Sequence, residues 1–149
     1  MSENGGIERF EPRSVASHDS KEPLVWAIDD AHVPAYWFPR DFPRGTFWAT
    51  GDTSDADVDR FLGGDRTRRV HAVQRDLLSQ LRDARLFAYR LPPATFERYD
   101  DTAGYWVSHT AVEPLGVVEL EDLAARHEQA GIELRAVDDL WSLWLEVIG

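Results

Sequence analysis

The sequence predicts an α+β fold, in which one curved mixed or antiparallel sheet carries short peripheral helices. Short apolar runs typical of strands alternate irregularly with segments of helical periodicity, so regular βαβ units are not indicated. No internal repeat or shift in composition divides the 149 residues, a length that suits one domain. We therefore assign residues 1–149 to a single domain.

The composition restricts the classes of function. The chain has no cysteine, which excludes disulfides, thiolate metal sites and cysteine nucleophiles. Its 16 basic and 27 acidic residues give a net charge of −11, whereas a general nucleic-acid binder carries a basic footprint. No apolar run reaches the roughly 18 residues of a membrane helix, and the first residues lack a signal pattern. We expect a cytoplasmic protein that binds neither nucleic acid nor membranes.

Strands are predicted where short apolar runs lie between turn signals. These runs are Leu24–Ile28, Thr46–Thr50, Arg68–Val73, Leu86–Leu91, Gly104–Ser108, Val112–Leu120 and Ile132–Val137. Residues 1–13 are expected to end a strand and form an ordered turn anchored by Ile7 and Phe10, and residues 14–23 to form a surface loop.

Helices are predicted from periodicity and from capping residues. They cover residues 31–38, a segment capped by Thr53–Ser54 and closed by Gly63–Gly64, residues 75–84, a segment from Leu120 to Gly131, and a last helix after Asp138 or Asp139. The last helix carries a stripe of five large apolar residues: Leu140, Trp141, Trp144, Leu145 and Ile148. We expect this stripe to dock on the domain's own sheet, which favours a monomer over a homodimer.

The charge is unevenly distributed, which favours an anion site in the first half of the chain. Residues 1–75 carry 10 basic and 13 acidic residues, and residues 76–149 carry 6 and 14. All basic residues except Lys21 are arginine, whose planar fork binds phosphate or carboxylate in a bidentate way.

The segment 32–44 concentrates candidate binding residues. His32, Tyr36 and Arg40 are spaced i, i+4, i+8, so a helix that reached position 40 would present all three on one face. In the alternative, Tyr36 packs in the core and Arg40 pairs with an acidic neighbour. The predicted ligand-binding set is Arg13, Trp26, His32, Tyr36, Arg40 and Arg44.

The sequence indicates no local metal site, because no two of the five histidines are three or four residues apart. A site assembled from distant loops stays open. Ser108 and His109 are neighbours on a predicted strand and face opposite sides, so they are not expected to form a catalytic dyad.

Several stretches resemble a bacterial family of unknown function, domain-of-unknown-function family 6886. The resemblance rests on Ser2–Glu3, Ile7, Phe10, Pro12–Arg13, Val25–Asp29, His32, the Pro39-Arg40-Asp41…Pro43-Arg44 segment and Trp106–Ser108. Members of this family open with a strand that ends in H-x-S-E, and here Met1 occupies the x position. The resemblance therefore implies that an N-terminal strand is truncated. It brings no activity with it.

A second resemblance is architectural, to the ADP-ribosyltransferase-like fold, which binds NAD. In that fold an opening histidine and an aromatic residue on a later strand hold the cofactor, and an acid acts in catalysis. Trp26 or Tyr36 is similar in position to the aromatic residue, Glu133 is a nominal acid, and the histidine has no counterpart. The cofactor is otherwise unknown.

Three hypotheses for function follow, and the catalytic residues stay unknown in all of them. The chain is an ADP-ribosyltransferase-like enzyme that uses NAD, a binding module for a small anionic or nucleotide-related ligand, or an interaction protein with a tryptophan-rich surface. A pocket lined by arginine, histidine and tyrosine favours the first two hypotheses, and an apolar patch over Trp141 and Trp144 favours the third.

Overall fold

The fold is described from a computed structural model, which describes residues 1–14 and 22–148. The strands are β1 (Val25–Ile28), β2 (Arg44–Trp48), β3 (Arg69–Gln74), β4 (Leu86–Arg90), β5 (Phe96–Asp100), β6 (Tyr105–Ser108), β7 (Gly116–Leu120) and β8 (Glu133–Val137). The α-helices are α1 (Asp55–Leu62), α2 (Leu78–Asp83), α3 (Leu123–Gln129) and α4 (Leu140–Ile148). The predicted α+β class, with antiparallel and mixed sheets and short helices, is confirmed.

The backbone forms two compact units. The first contains Met1–Trp37 and Leu86–Leu120, and the second contains Phe38–Arg85 and Glu121–Gly149. That residues 1–149 make up one domain stays a prediction. None of the helices in the described part of the chain is both long and apolar enough to cross a membrane.

The first unit contains two antiparallel sheets. One has the strand order β1-β6-β5, and the other pairs β4 with β7. The N-terminal segment lies beside these strands through three isolated bridges, Ser2 to Phe87, Phe10 to Val112 and Arg13 to Leu24. This agrees with the ordered N-terminal segment that the sequence predicts. Residues 15–21 of the predicted loop lie outside the described residues.

The second unit contains a mixed sheet of order β2-β3-β8. Strands β2 and β3 are antiparallel, and β3 and β8 are parallel. Helix α1 begins where Ser54 accepts a hydrogen bond from the Asp57 N–H, and it ends at Gly63 with φ of 62°. Its buried Val58 and Leu62 pack with Val70 of β3. The predicted caps of this helix are confirmed.

The helix predicted over 31–38 is wrong in type and in length. The structure has a single 3-10 turn, Val33–Tyr36, and the chain leaves the helical conformation at Trp37, where ψ is 53°. Pro34 lacks an N–H, and Pro39 disfavours a helical conformation for the residue before it. Arg40 is therefore on no helix, and the i, i+4, i+8 face does not form.

Strand β5 was not predicted from the sequence. Its residues, FERYD, contain no apolar run, and Pro92–Pro93 suggested an end to regular structure. Antiparallel pairing with β6 orders this strand, and the register of the pair shifts between Arg98 and Asp100. This strand forms because it pairs with a neighbouring strand, and its own sequence pattern does not indicate it.

Helix α4 docks on its own sheet through one side only. At Gly45 of β2 an added Cβ would lie 3.0 Å from Trp144 Cε3 and 3.9 Å from Leu140, so both side chains cover this glycine. The other three residues of the predicted stripe are exposed: Trp141 (68%), Leu145 (51%) and Ile148 (61%). The docking prediction is right for two of the five residues and wrong for the rest, because the half-buried side of the helix consists of Leu140, Leu143, Trp144 and Val147, at the spacing i, i+3, i+4, i+7.

We expect Trp144→Ala to lower the free energy of unfolding by about 2–4 kcal/mol, because the indole is packed against β2. The matched variant Trp141→Ala should change it by less than about 0.5 kcal/mol, since that side chain is exposed. Urea unfolding followed by circular dichroism measures both variants. Equal losses would contradict the one-sided docking.

Candidate functional site

The two faces of the β2-β3-β8 sheet differ in chemistry. On one face the apolar residues Gly45, Phe47, Val70 and Ala72 alternate along β2 and β3, next to α1 and α4. The opposite face carries the apolar Val73 of β3 and Leu134 of β8, and besides them Arg44, Thr46, Trp48, Arg69 and His71. These last five residues are called the arginine–histidine face below. Thr46 pairs in register with His71, and Trp48 with Arg69.

A buried pair of histidines joins this face to α3. His71 and His127 are both 0% exposed, and 2.9 Å separates His71 Nδ1 from His127 Nε2. The other ring nitrogen of His127, Nδ1, lies 2.6 Å from the carbonyl oxygen of Leu123, one turn earlier on the helix. The pair therefore connects strand β3 to the backbone of α3 through two consecutive hydrogen bonds.

These contacts fix the position of each proton. A carbonyl oxygen only accepts, so His127 Nδ1 carries a hydrogen and donates it to Leu123. Nε2 of the neutral His127 is then an acceptor, and His71 Nδ1 donates to it. His71 Nε2 is left with a lone pair, and it is buried with no hydrogen-bond partner among the described residues.

Both imidazoles are held in the neutral form. Burial, followed by electrostatic repulsion from His127, Arg69 and Arg44, lowers the pKa of His71 to about 3. Burial also lowers the pKa of His127, with a smaller contribution from Arg69. Two guanidinium groups thus lie close enough to His71 to affect its charge.

Aromatic side chains position the two arginines. The guanidinium carbon of Arg44 lies 5.0 Å from the ring centroid of Phe38, and its Nη1 donates to the carbonyl of Phe42 at 3.1 Å. The Phe38 ring packs in turn against His71 at 5.7 Å. Arg69 lies 5.1 Å from the ring of Trp48. The cations are therefore held beside the histidine pair by cation–π contacts.

The six residues predicted as a binding set are divided between the two units. Arg13, Trp26, His32 and Tyr36 belong to the first unit, and Arg40 and Arg44 to the second. Arg40 is exposed in a turn. A single site made of all six stays a prediction.

His32 of the predicted set is held by a carboxylate. Its Nδ1 lies 2.6 Å from Asp29 Oδ1, and the indole N–H of Trp106 donates to the other oxygen of Asp29 at 3.4 Å. The hydrogen bond from His32 lowers the pKa of Asp29. Gly104, with φ of 73°, lies so close to the imidazole that a Cβ there would be 2.5 Å from it. This pair orients an imidazole, and it also closes the turn before the 3-10 helix, because Asp29 Oδ1 accepts from the His32 N–H.

Trp26 and Tyr36 meet at one tyrosine. Their ring centroids lie 5.6 and 6.0 Å from that of Tyr105, and Tyr99 contacts Trp26 at 4.8 Å. Arg13 pairs with Leu24, two residues before Trp26, so it lies on the same side of the strand as Trp26. Aromatic rings and one arginine therefore share one face of the first unit.

Ser108 and His109 do not act together, as the sequence predicts. Ser108 Oγ donates to the carbonyl of Thr110 at 2.9 Å, whereas the His109 ring lies between Glu97 and Glu22. Hydrogen bonding to Glu97, with the charge of Glu22, raises the pKa of His109.

The second unit has a groove of about 690 Å³ between α2, α3 and β8. Its charged lining residues have both signs, Arg68 and Arg82 opposite Asp122, Glu128 and Glu133. Glu133, the nominal catalytic acid, is bound by Arg135 at 2.5 Å and by Arg68 at 3.3 Å. Within the described ranges, no group of three or more His, Asp or Glu residues is placed to hold a metal ion.

The geometry defines an α+β protein whose most unusual feature is a neutral histidine pair beside two arginines. The chain belongs to the family of unknown function DUF6886, whose match covers residues 1–149. No curated protein and no solved structure matches it significantly.

Sequence reasoning identified Arg44 and missed Thr46, Arg69, His71 and His127. The separation of 56 positions between the two histidines is the reason, because only the packing of α3 on the sheet brings them together. One signal was present in the sequence. His71 interrupts the apolar strand 70–73, and a polar residue at a buried strand position requires a partner.

Acid should destabilise the fold through His71. The folded state excludes a proton that the unfolded chain binds near pH 6.5, so stability is lost as pH falls from 6.5 towards 3. Between pH 7 and about 4.5 we expect the wild type to lose about 2–3 kcal/mol more than His71→Phe, which has no such proton site. Urea unfolding at the two pH values measures this difference.

His109→Gln is the matched control. Because the pKa of His109 is raised in the folded state, this residue stabilises the fold at low pH and loses that contribution as pH rises through its folded-state pKa. Its effect on stability therefore has the opposite pH dependence to that of His71. Parallel pH profiles for His71→Phe and the wild type would refute the assignment.

Proposed function

We propose that this protein binds a small anionic ligand on the arginine–histidine face. One observation carries the proposal: Arg44 and Arg69 both lie within electrostatic range of the buried His71, on one face of two adjacent strands. In the described strands β2 and β3, no carboxylate occupies a position on this face. A chain with a net charge of −11 thus places two guanidinium groups on this face.

The chemistry of the face suits an oxyanion. Guanidinium groups donate in pairs to phosphate or carboxylate oxygens. Thr46 lies between them in register, opposite His71. Arg44, Thr46 and Arg69 are half-buried, so their charges and donors are less screened than on an open surface.

A second candidate is a nucleotide-related ligand on the first unit, including NAD as an ADP-ribosyltransferase-like enzyme would use it. The rings of Trp26, Tyr36 and Tyr105 favour it, together with the imidazole of His32 that Asp29 orients. Glu133 argues against the enzyme, since two arginines bind this nominal acid.

An interaction surface is a third candidate, favoured by the exposed Trp141, Leu145 and Ile148 of α4. As part of the anion-binding proposal, we also propose that the protein is monomeric and located in the cytoplasm. Sedimentation at micromolar concentrations tests the oligomeric state.

Inorganic pyrophosphate, a small multiply charged anion, tests the proposal. At low ionic strength it should raise the melting temperature of the wild type, because a ligand that binds only the folded state stabilises it. Arg44→Ala and Arg69→Ala should each weaken binding by about 1.5–3 kcal/mol, the value of a hydrogen bond to a charged group. Isothermal titration calorimetry gives the affinities.

Arg60→Ala is the control variant. Arg60 is an exposed arginine on α1 that pairs with Glu146, and it lies on the other side of the sheet. Its loss should leave pyrophosphate binding unchanged. Equal weakening in Arg60→Ala and Arg44→Ala would show general charge attraction and contradict the site.

A further inference from the structure

The groove between α2, α3 and the start of β8 has the size of a small-molecule site. Its volume is about 690 Å³, and ligand pockets in proteins measure roughly 300–1,000 Å³. The apolar part of its lining consists of Leu78, Ala124, Ala125, Ile132 and Leu134. The two alanines on α3 keep the groove open, because longer side chains at these positions would fill it. The groove therefore offers both volume and apolar surface to a ligand.

Three of the charged side chains that line the groove already have partners within the protein. Glu133 accepts from Arg135 at 2.5 Å and from Arg68 at 3.3 Å. Asp122 Oδ1 accepts from the Ala125 N–H at 3.1 Å and so caps the first turn of α3. These contacts hold the start of β8 and the start of α3 in place, and they occupy the charges at this end of the groove.

Arg82 of α2 and Glu128 of α3 also line the groove, and they differ from these three. Both side chains are exposed, and neither forms an ion pair or a side-chain hydrogen bond with the part of the chain that the structure describes. The two helices pack against each other, and packed helices have axes about 8–10 Å apart. Arg82 and Glu128 thus present a cation and an anion on two walls of one groove without neutralising each other.

We propose that this groove binds a small zwitterion, namely a short peptide with free termini. The carboxylate of the peptide accepts from Arg82, its ammonium group donates to Glu128, and an apolar side chain between them contacts the apolar lining. An extended residue spans about 3.3–3.6 Å, so a tripeptide is roughly 10 Å long, which suits charges carried by two packed helices. The groove and the arginine–histidine face have no residue in common, so this inference is independent of the anion-binding proposal.

The mixture of charges disfavours ligands of a single sign. A simple anion that reached Arg82 would also bring its charge towards Glu128 and Asp122, and a simple cation at Glu128 would bring its charge towards Arg82. A zwitterion places each of its charges beside the opposite one. Charge-assisted hydrogen bonds at both ends then contribute to the same binding event.

The test compares the tripeptide Ala-Leu-Ala with its N-acetylated and its C-amidated forms at about pH 6.5, where a free α-amino group and a free α-carboxyl group are both charged. Chemical-shift titration of the ¹⁵N-labelled wild type gives the binding constants and locates the site. We expect the free tripeptide to bind about tenfold or more tightly than either capped form, because each cap removes one charge-assisted hydrogen bond. The largest shift changes should fall on the lining residues Ala124 and Ala125.

Arg82→Gln and Glu128→Gln assign the two ends of the peptide. In Arg82→Gln, amidation of the peptide should change the binding constant by less than about twofold, while acetylation still weakens binding. Glu128→Gln should show the reverse. Because both side chains are exposed, neither change should affect folding. The control Arg60→Gln removes an exposed arginine of α1 that pairs with Glu146, and it should bind all three peptides as the wild type does.

Equal binding of the three peptides by the wild type would overturn the requirement for both charges. Tightest binding of the acetylated form would show an anion site, and tightest binding of the amidated form a cation site, and either result contradicts the zwitterion. No binding, or shift changes confined to residues outside the groove, would overturn the site itself. Pyrophosphate binding is measured separately on the arginine–histidine face, so failure here leaves the anion-binding function untouched.

Discussion

The hydrogen bond between His71 and His127 is the interaction on which the second unit depends. It is a polar link between the central strand β3 and helix α3, and it lies where neither ring meets solvent. A buried imidazole without a partner costs free energy, so the two rings stabilise the packing only as a pair. Because the carbonyl of Leu123 only accepts, it determines which nitrogen of each ring carries the hydrogen. His71 consequently has its bare nitrogen, Nε2, as a hydrogen-bond acceptor.

Local signals in the sequence predicted much of the fold. Ser54 and Gly63 defined α1, and apolar runs defined seven of the strands, because these features act within a few residues. Strand β5 and the short turn Val33–Tyr36 escaped prediction for the opposite reason. The first is ordered by its neighbour β6, and the second is limited by prolines whose effect outweighs helical spacing.

The candidate site was less predictable than the fold. Arg44 was identified because it follows a proline in a segment rich in candidate binding residues. Arg69 and His71 belong to the next strand, and they become its neighbours only through the register of β2 and β3. His127 comes from a helix 56 residues away from His71. Spacing rules detect sites within one element, whereas this face is assembled from three.

The tautomers of the two histidines test this account most directly. Long-range ¹H–¹⁵N correlation spectra of the ¹⁵N-labelled protein at neutral pH distinguish a protonated ring nitrogen from a bare one. The account predicts that His71 and His127 are both neutral, with the hydrogen on Nδ1 and a bare Nε2. A hydrogen on Nε2 of His71, or a doubly protonated ring, would contradict it.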